Sequence, residues 1–221
     1  MKILGMFSCF FLLASAALAQ DESSTRSDIT LDEDVWVLFY DLPSRRFRNV
    51  RDAFVRRNWS VARRDLAASA GFLRAELARA DAALVVPLEE VIIRLESIAE
   101  NIETREVSGS DLDAAFARAH WLLAQHYLVL SETARNSGDP RTTANYLWAT
   151  AHHLERCVMW SNTRLTRRQL ASLEKLRDIA GQLRDTDDPA TVYKSRPIAS
   201  AKKTLREIGE YLERRVWLPA S

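Results

Sequence analysis

The stretch LAASAGFL, residues 66–73, returns in altered form as LWATAHHL, residues 147–154, and this pair decides the fold. When Leu66 is aligned with Leu147, the two stretches share four identities and one Ser/Thr exchange. The same alignment places one apolar stripe on another without a gap: Leu95, Ile98, Ala99 and Ile102 fall on Leu176, Ile179, Ala180 and Leu183. The match predicts a tandem duplication, and its alternative is the leucine–alanine periodicity that unrelated amphipathic helices share.

Apolar residues recur at steps of three and four along most of the chain, and period-2 alternation is essentially missing. This spacing is typical of amphipathic helices. We expect helices at about 47–58, 60–80, 86–102, 111–136, 140–160, 166–183 and 199–216. The predicted fold class is therefore all-α, with helical hairpins or a bundle built from a duplicated three-helix unit (period 81). Unit one spans about 45–105, unit two about 111–185, and a C-terminal helix about 199–216.

Two helix boundaries in the first part of this series carry local signals. Pro87 is acceptable in the first turn of the third helix, where a missing N–H has no helical partner. Ser110 or Asp111 is expected to cap the fourth helix by accepting its free N–H groups.

Three further signals punctuate the later helices. Gly138 is expected to end the fourth helix, and Asp139-Pro140 combines a cap with a proline at the first helical position of the next. Thr166 and Gln169 have the spacing of a capping box, in which each side chain satisfies an N–H at the helix end.

Residues 53–73 carry a resemblance to a known family. Trp59 near a turn, followed by Ala62, Leu66 and Ala70, resembles a tetratricopeptide hairpin. The longer period of this chain, with its third helix, departs from the roughly 34-residue, two-helix unit of that family. The family's glycine, tyrosine and proline positions are also mostly unfilled. The resemblance therefore implies a helix–turn–helix over part of each unit and carries no function with it.

Residues 1–19 have the pattern of a cleaved secretory signal. Met1-Lys2 precedes an apolar run, which closes on the small-x-small pattern Ala17-Leu18-Ala19. Residues 20–34 are polar and acidic, which predicts a disordered leader before an all-helical domain at about 35–218. We expect a periplasmic or secreted protein that does not span a membrane, because no later stretch has the roughly 20 apolar residues required.

Charge and cysteine content exclude one class of partner and one means of stabilisation. Removing residues 1–19 leaves equal numbers of basic and acidic side chains, so the chain lacks the global positive field of nucleic-acid binders. Cys157 is then the remaining cysteine. One thiol forms no internal disulfide, so the fold depends on its hydrophobic core.

All four histidines fall on the two helices that flank residue 138: His120, His126, His152 and His153. If these helices form an antiparallel hairpin, His126 lies within one turn of His153. The pair is a candidate transition-metal site with Glu155 or Glu132 as oxygen ligand. Interfacial histidines that hydrogen-bond within the core are the alternative.

Arginines are concentrated between residues 45 and 64, where Asp52 is the only acidic side chain before Asp65. We take four of them as a candidate binding surface for an envelope protein or an anionic polymer: Arg56, Arg57, Arg63 and Arg64. A solvated face, or one paired with the acidic leader, is the alternative.

Familiar catalytic and cofactor motifs are missing from the sequence. It has no Gly-x-Ser-x-Gly elbow, glycine-rich phosphate loop, His-Glu-x-x-His zinc helix or Cys-x-x-Cys-His haem attachment site. The function we expect is therefore non-catalytic binding of another envelope component. A metal- or cofactor-binding protein that uses the histidine-bearing hairpin is the alternative, and the sequence names no cofactor.

Overall fold

The computed structural model describes residues 39–104, 106–185 and 197–212. The predicted signal peptide, the whole of the predicted leader, the segment 186–196 and the residues after 212 lie outside this part. The described residues form seven helices: α1 Leu42–Val55, α2 Trp59–Leu77, α3 Ala82–Asn101, α4 Gly109–Asn136, α5 Pro140–Trp160, α6 Arg167–Asp185 and α7 Pro197–Leu212. The all-α class is confirmed.

The local signals of the later helices are confirmed. Gly138 adopts a φ of 78°, and the Asp139 side chain accepts a hydrogen bond from the Thr142 N–H at 2.9 Å. Pro140 is the first residue of α5. Before α6, Gln169 Oε1 accepts from the Thr166 N–H at 2.8 Å, and Thr166 Oγ1 accepts from the Gln169 N–H at 3.3 Å.

Three earlier boundaries were predicted wrongly. Helix α1 begins at Leu42, with Pro43 in its first turn, and not at about 47. Helix α3 begins at Ala82 because the Asp81 side chain caps it through the Ala83 N–H, so Pro87 lies inside the helix rather than in its first turn. The earlier start brings Leu84 into the core. The cap of α4 is Ser108, which forms a capping box with Asp111.

Successive helices pack against each other from α1 to α4, with the closest pairing between α4 and α5, and then on through α6 to α7. Helix α4 also contacts α1 and α7, so neighbours cover most of its sides. Its fully buried residues accordingly include both large apolar side chains, such as Phe116 and Leu112, and the polar His120 and His126. Helix α4 is the centre of the core and carries half of the histidines into it.

The turn between α1 and α2 and the turn between α4 and α5 have the same geometry at positions that the sequence alignment makes equivalent. Arg57 (φ 57°) corresponds to Gly138 (φ 78°), and both adopt the left-handed conformation. The next residues, Asn58 and Asp139, each cap the following helix through the N–H three residues later.

The correspondence continues inside the second helix of each hairpin. Ser69 Oγ donates to the Asp65 carbonyl at 2.8 Å, and Thr150 Oγ1 donates to the Tyr146 carbonyl at the same distance. These donors and acceptors are again equivalent in the alignment. The likeness is one of geometry, and the duplication itself stays a prediction.

Candidate functional site

Helices α4 and α5 bring all four histidines into the interior, as one of the two interpretations of the sequence requires. His120, His126 and His153 are fully buried, and the His152 side chain is 12% exposed. The four rings make three arrangements, which touch each other through Tyr127 and through the edge-on contact of His152 with His153.

The first arrangement is a pair of imidazoles. His120 Nδ1 and His153 Nδ1 are 2.9 Å apart, so one ring donates its proton and the other accepts it. The Tyr127 ring stacks on His153 at 5.4 Å between centroids, and Phe47 meets His120 edge-on at 5.2 Å. Burial holds the pKa of both histidines well below the ordinary value. The pair is therefore uncharged at neutral pH.

The second arrangement surrounds a fully buried carboxylate of α2, Glu76. His126 Nε2 lies 2.9 Å from Glu76 Oε2, and the Tyr127 hydroxyl donates to Glu76 Oε1 at 2.6 Å. Burial alone raises the pKa of Glu76, but the hydrogen bond and charge of His126, then Tyr127 and Arg79, lower it below its usual value. The pKa of Tyr127 is raised by burial and by the adjacent carboxylate. Glu76 is thus an anion that joins α2 to α4.

The third arrangement, at the edge of the core, contains a serine, a histidine and an aspartate. His152 Nε2 lies 2.8 Å from Ser44 Oγ and 2.9 Å from Asp41 Oδ1. Both contacts use the same ring nitrogen, whereas a catalytic triad places the acid on one nitrogen and the nucleophile on the other. Ser44 is also 1% exposed. The arrangement fastens the start of α1 to α5.

His152 has an altered pKa for several reasons. Burial is the largest cause and lowers it to about 4, while the Asp41 carboxylate opposes this shift. The charges of Arg156 and Arg177 lower it further. His152 is therefore also neutral at neutral pH; its Nε2 forms a hydrogen bond with Ser44 and lies close to the Asp41 carboxylate.

The structure gives the predicted metal ligands other partners. His126 contacts Glu76, and His153 contacts His120. The suggested oxygen ligands are in ion pairs near the surface: Glu155 with Arg177 at 2.5 Å and Glu132 with Lys202 at 2.6 Å. Within the described ranges no three His, Cys, Asp or Glu side chains are grouped to hold a metal ion. The metal site stays a prediction.

Sequence reasoning missed Glu76, Asp41 and Ser44. All three belong to the first part of the chain, up to the end of α2, and the pairing rule for an antiparallel hairpin relates only α4 to α5. One signal was present, because Glu76 is an acidic residue on the otherwise apolar face that also carries Leu66 and Leu73. A charged side chain on a buried stripe indicates a partner elsewhere in the fold.

Cys157 is packed inside the core. Its side chain is 0% exposed, and burial raises the pKa of its thiol far above the ordinary value. A buried neutral thiol is a poor nucleophile, so Cys157 is a packing residue.

The predicted arginine surface divides into two parts. Arg63 donates to the Ala99 carbonyl at 3.2 Å and to Glu103 at 2.6 Å, and Arg64 lies 3.3 Å from the buried Asp65. Arg56 and Arg57 are exposed in the α1–α2 turn and have no ion pair within the described part of the chain. The unpaired positive charge is therefore at the tip of the first hairpin.

No protein-family model matches the chain, and no significant match is found among curated proteins or solved structures. A separate observation concerns membranes: none of the helices among the described residues has the length and apolar character needed to cross one.

Proposed function

We propose that this protein is an exported, non-catalytic helical protein that binds another component of the cell envelope. The observation that carries the proposal is a division of polar groups. Side chains that could act as an acid, a base or a ligand, such as Glu76 and His153, are fully buried and hydrogen-bonded to one another or to their neighbours. Arg56 and Arg57, in contrast, are exposed and have no ion pair in the part of the chain that is described. A substrate therefore cannot reach the buried side chains, whereas an anionic partner can reach the two exposed arginines.

The proposed compartment, periplasmic or secreted, rests on the sequence of residues 1–19. Lys2, the apolar run and the Ala17–Ala19 ending are the three parts of a secretory signal. Fractionation of cells that express the full chain tests this part: the processed protein should accumulate outside the cytoplasm with Gln20 at its N terminus. An unprocessed cytoplasmic chain would contradict it.

Affinity capture from envelope extract tests the binding function, with protein purified from cells that express the full chain. The sharpest variant is R56E/R57E, because these two reversals break no ion pair of the described structure. The wider reversal that adds Arg63 and Arg64 also disturbs the contacts to Glu103 and Asp65. We expect R56E/R57E to lose the captured component and to keep its helical circular dichroism.

R141E/K203E is a matched control, because it changes the net charge equally at exposed positions elsewhere. It should retain the component. Equal retention by R56E/R57E and the control, or no reproducible component with the unaltered protein, would contradict the proposal.

A second candidate function is metal binding by the histidine-bearing hairpin. The observation that favours it is that His126 Nδ1 and His153 Nε2 are buried and, in the described structure, have no hydrogen-bond partner. An imidazole nitrogen with a free lone pair is a ligand for Zn²⁺ or Cu²⁺.

Metal analysis separates the two functions. A metal-binding protein should be purified with about one equivalent of metal, and a chelator should lower its melting temperature. H126N/H153N should lose the metal. Metal-free protein with no shift on addition of Zn²⁺ or Cu²⁺ would contradict this second candidate.

A further inference from the structure

Three connections meet at one end of the bundle. Arg51, near the end of α1, bonds to Asp113 at the start of α4 at 3.0 Å, so the α1–α2 and α3–α4 connections are on the same side. Arg63, at the start of α2, bonds to Glu103 after α3 at 2.6 Å. Phe116, near the start of α4, meets Trp160 at the end of α5 with 5.0 Å between ring centroids. We name this region the arginine end and define it as residues 51–64, 102–104, 106–113 and 159–170.

The arginine end carries a second set of unpaired charges besides the tip of the first hairpin. Arg164 and Arg167, in and after the α5–α6 connection, are exposed and have no ion pair with any described residue. Several carboxylates here are already engaged: Glu103 with Arg63, Asp113 with Arg51, and Glu207 of α7 with Arg168. Asp52 and Glu106 are exposed and offset part of the charge. Asp111 pairs with Arg94 of α3. Eight arginines and five carboxylates lie within the arginine end as defined, so its net charge is +3.

Exposed apolar side chains lie among these arginines. Val55 is 70% exposed beside Arg56, Met159 is 46% exposed, and Leu170 is 48% exposed. Among the described residues these are three of the seven large hydrophobic side chains that are exposed. A soluble anionic polymer is bound by charge alone, whereas apolar groups interspersed with cations also fit the boundary between lipid headgroups and acyl chains.

We propose that the arginine end docks on an anionic lipid surface. Arg56, Arg57, Arg164 and Arg167 would contact lipid phosphates, while Val55 and Leu170 enter the headgroup layer. The inference rests on the proposed function and names its partner as a lipid surface. Docking of this kind is peripheral, because it uses side chains at a helix end and no spanning segment.

Vesicle flotation tests the proposal with protein from cells that express the full chain. The vesicles are phosphatidylcholine with and without phosphatidylglycerol. We expect binding only with phosphatidylglycerol present, and we expect it to weaken as salt is raised. Each arginine near an anionic surface contributes about fivefold to partitioning, so R56E/R57E/R164E/R167E should bind at least about 100-fold more weakly. R141E/K203E is the control for R56E/R57E, which changes the net charge by the same amount, and vesicles of phosphatidylcholine alone are the control for lipid charge.

A second pair of variants tests the apolar contribution. V55S/L170S should lower vesicle binding several-fold and leave binding to soluble dextran sulfate unchanged. V86S/I93S removes two similarly exposed apolar side chains from α3 and should change neither.

Four results would overturn the proposal: no binding to phosphatidylglycerol vesicles, equal loss in R141E/K203E, equal loss in V86S/I93S, or no effect of V55S/L170S. If arginine-dependent capture from envelope extract persists while vesicles are not bound, the lipid partner is wrong and the binding function stands. If neither arginine-dependent capture nor vesicle binding is observed, the proposed function fails as well.

Discussion

The hairpin α1/α2 and the hairpin α4/α5 share a turn and differ in what they bury. Arg46 Nη1 lies 2.7 Å from Asp65 Oδ1 in the first hairpin. The equivalent residues of the second hairpin, Tyr127 and Tyr146, are stacked with ring centroids 5.8 Å apart. An ion pair and an aromatic pair thus hold equivalent positions of the same backbone arrangement.

A second pair of equivalent positions shows the same contrast. Glu76 of α2 is the carboxylate that joins His126 and Tyr127, and its counterpart in α5 is the isolated thiol Cys157. Both side chains are fully buried. The turn and its cap thus set the geometry of a hairpin, whereas equivalent interior positions are occupied by charged, aromatic or small residues.

The largest expected effect comes from the Glu76 position. Glu76→Ala leaves His126 and Tyr127 buried without their acceptor, so the free energy of unfolding should fall by about 3–5 kcal/mol. Cys157→Ala, the equivalent change in the second hairpin, should cost about 1 kcal/mol. Denaturant unfolding of both variants measures the difference. An equal loss of free energy of unfolding in the two variants would contradict the claim that Glu76 joins two helices and Cys157 only packs.

The next effect is the pH dependence of stability. The pKa values of His120, His152 and His153 are lowered in the folded state, so the unfolded chain binds more protons below its histidine pKa of about 6.5. The stabilisation is complete above that pH and is lost as the pH falls. As the pH falls from 6.5 to 5, the loss of free energy of unfolding should steepen toward a limit of about 1.4 kcal/mol per pH unit for each histidine.

His153→Phe sharpens this prediction, because Phe72 is the equivalent residue of the first hairpin. The variant should reduce the slope of stability against pH by about a third. The readout is the slope, so a change in absolute stability does not obscure it. A slope equal to that of the unaltered protein would show that His153 is already charged in the folded state.

A smaller effect concerns the left-handed residue of each turn. Gly138→Ala should lower the free energy of unfolding by about 1–2 kcal/mol through conformation alone, since an added Cβ at that position meets no atom within 4 Å. Arg57→Gly should raise it by about 0.5–1 kcal/mol, because part of the relief is offset by the flexibility of glycine in the unfolded chain. Thermal unfolding of both variants measures the two signs. Effects of the same sign would contradict the equivalence of the turns.

The smallest effect is expected at Cys157. The buried neutral thiol should not react with iodoacetamide in the folded protein at pH 8, and should react after unfolding in guanidinium. Mass spectrometry of the two samples measures this. Rapid alkylation of the folded protein would contradict the packing around Cys157.

The features that the sequence predicted correctly depend on neighbours three or four residues away, although the equally local caps at Asp81 and Ser108 were missed. The caps at Asp139 and Thr166 and the helix end at Gly138 are of this kind, because one local hydrogen bond or one backbone conformation decides them. The all-α class follows from helical periodicity for the same reason.

The sequence did not predict the contacts between helices. The bond from His126 to Glu76 depends on how α2 packs against α4, and periodicity identifies a buried face without identifying what it meets. The pairing of Arg63 with Glu103 was hidden for the same reason. Pro87 was placed wrongly because one turn of helix before it is stabilised by Asp81 and by burial of Leu84.

Amide hydrogen exchange with and without envelope membranes tests most directly whether the α1/α2 hairpin binds the partner while the α4/α5 hairpin forms the core. The backbone N–H groups of Arg56, Arg57, Asn58 and Val61 form hydrogen bonds within an exposed turn, so we expect them to exchange by local opening in the free protein. With membranes present we expect added protection there and at residues 161–167, and no added protection in α5 between residues 146 and 157. Protection confined to α5 would contradict this expectation and assign binding to the histidine-bearing hairpin.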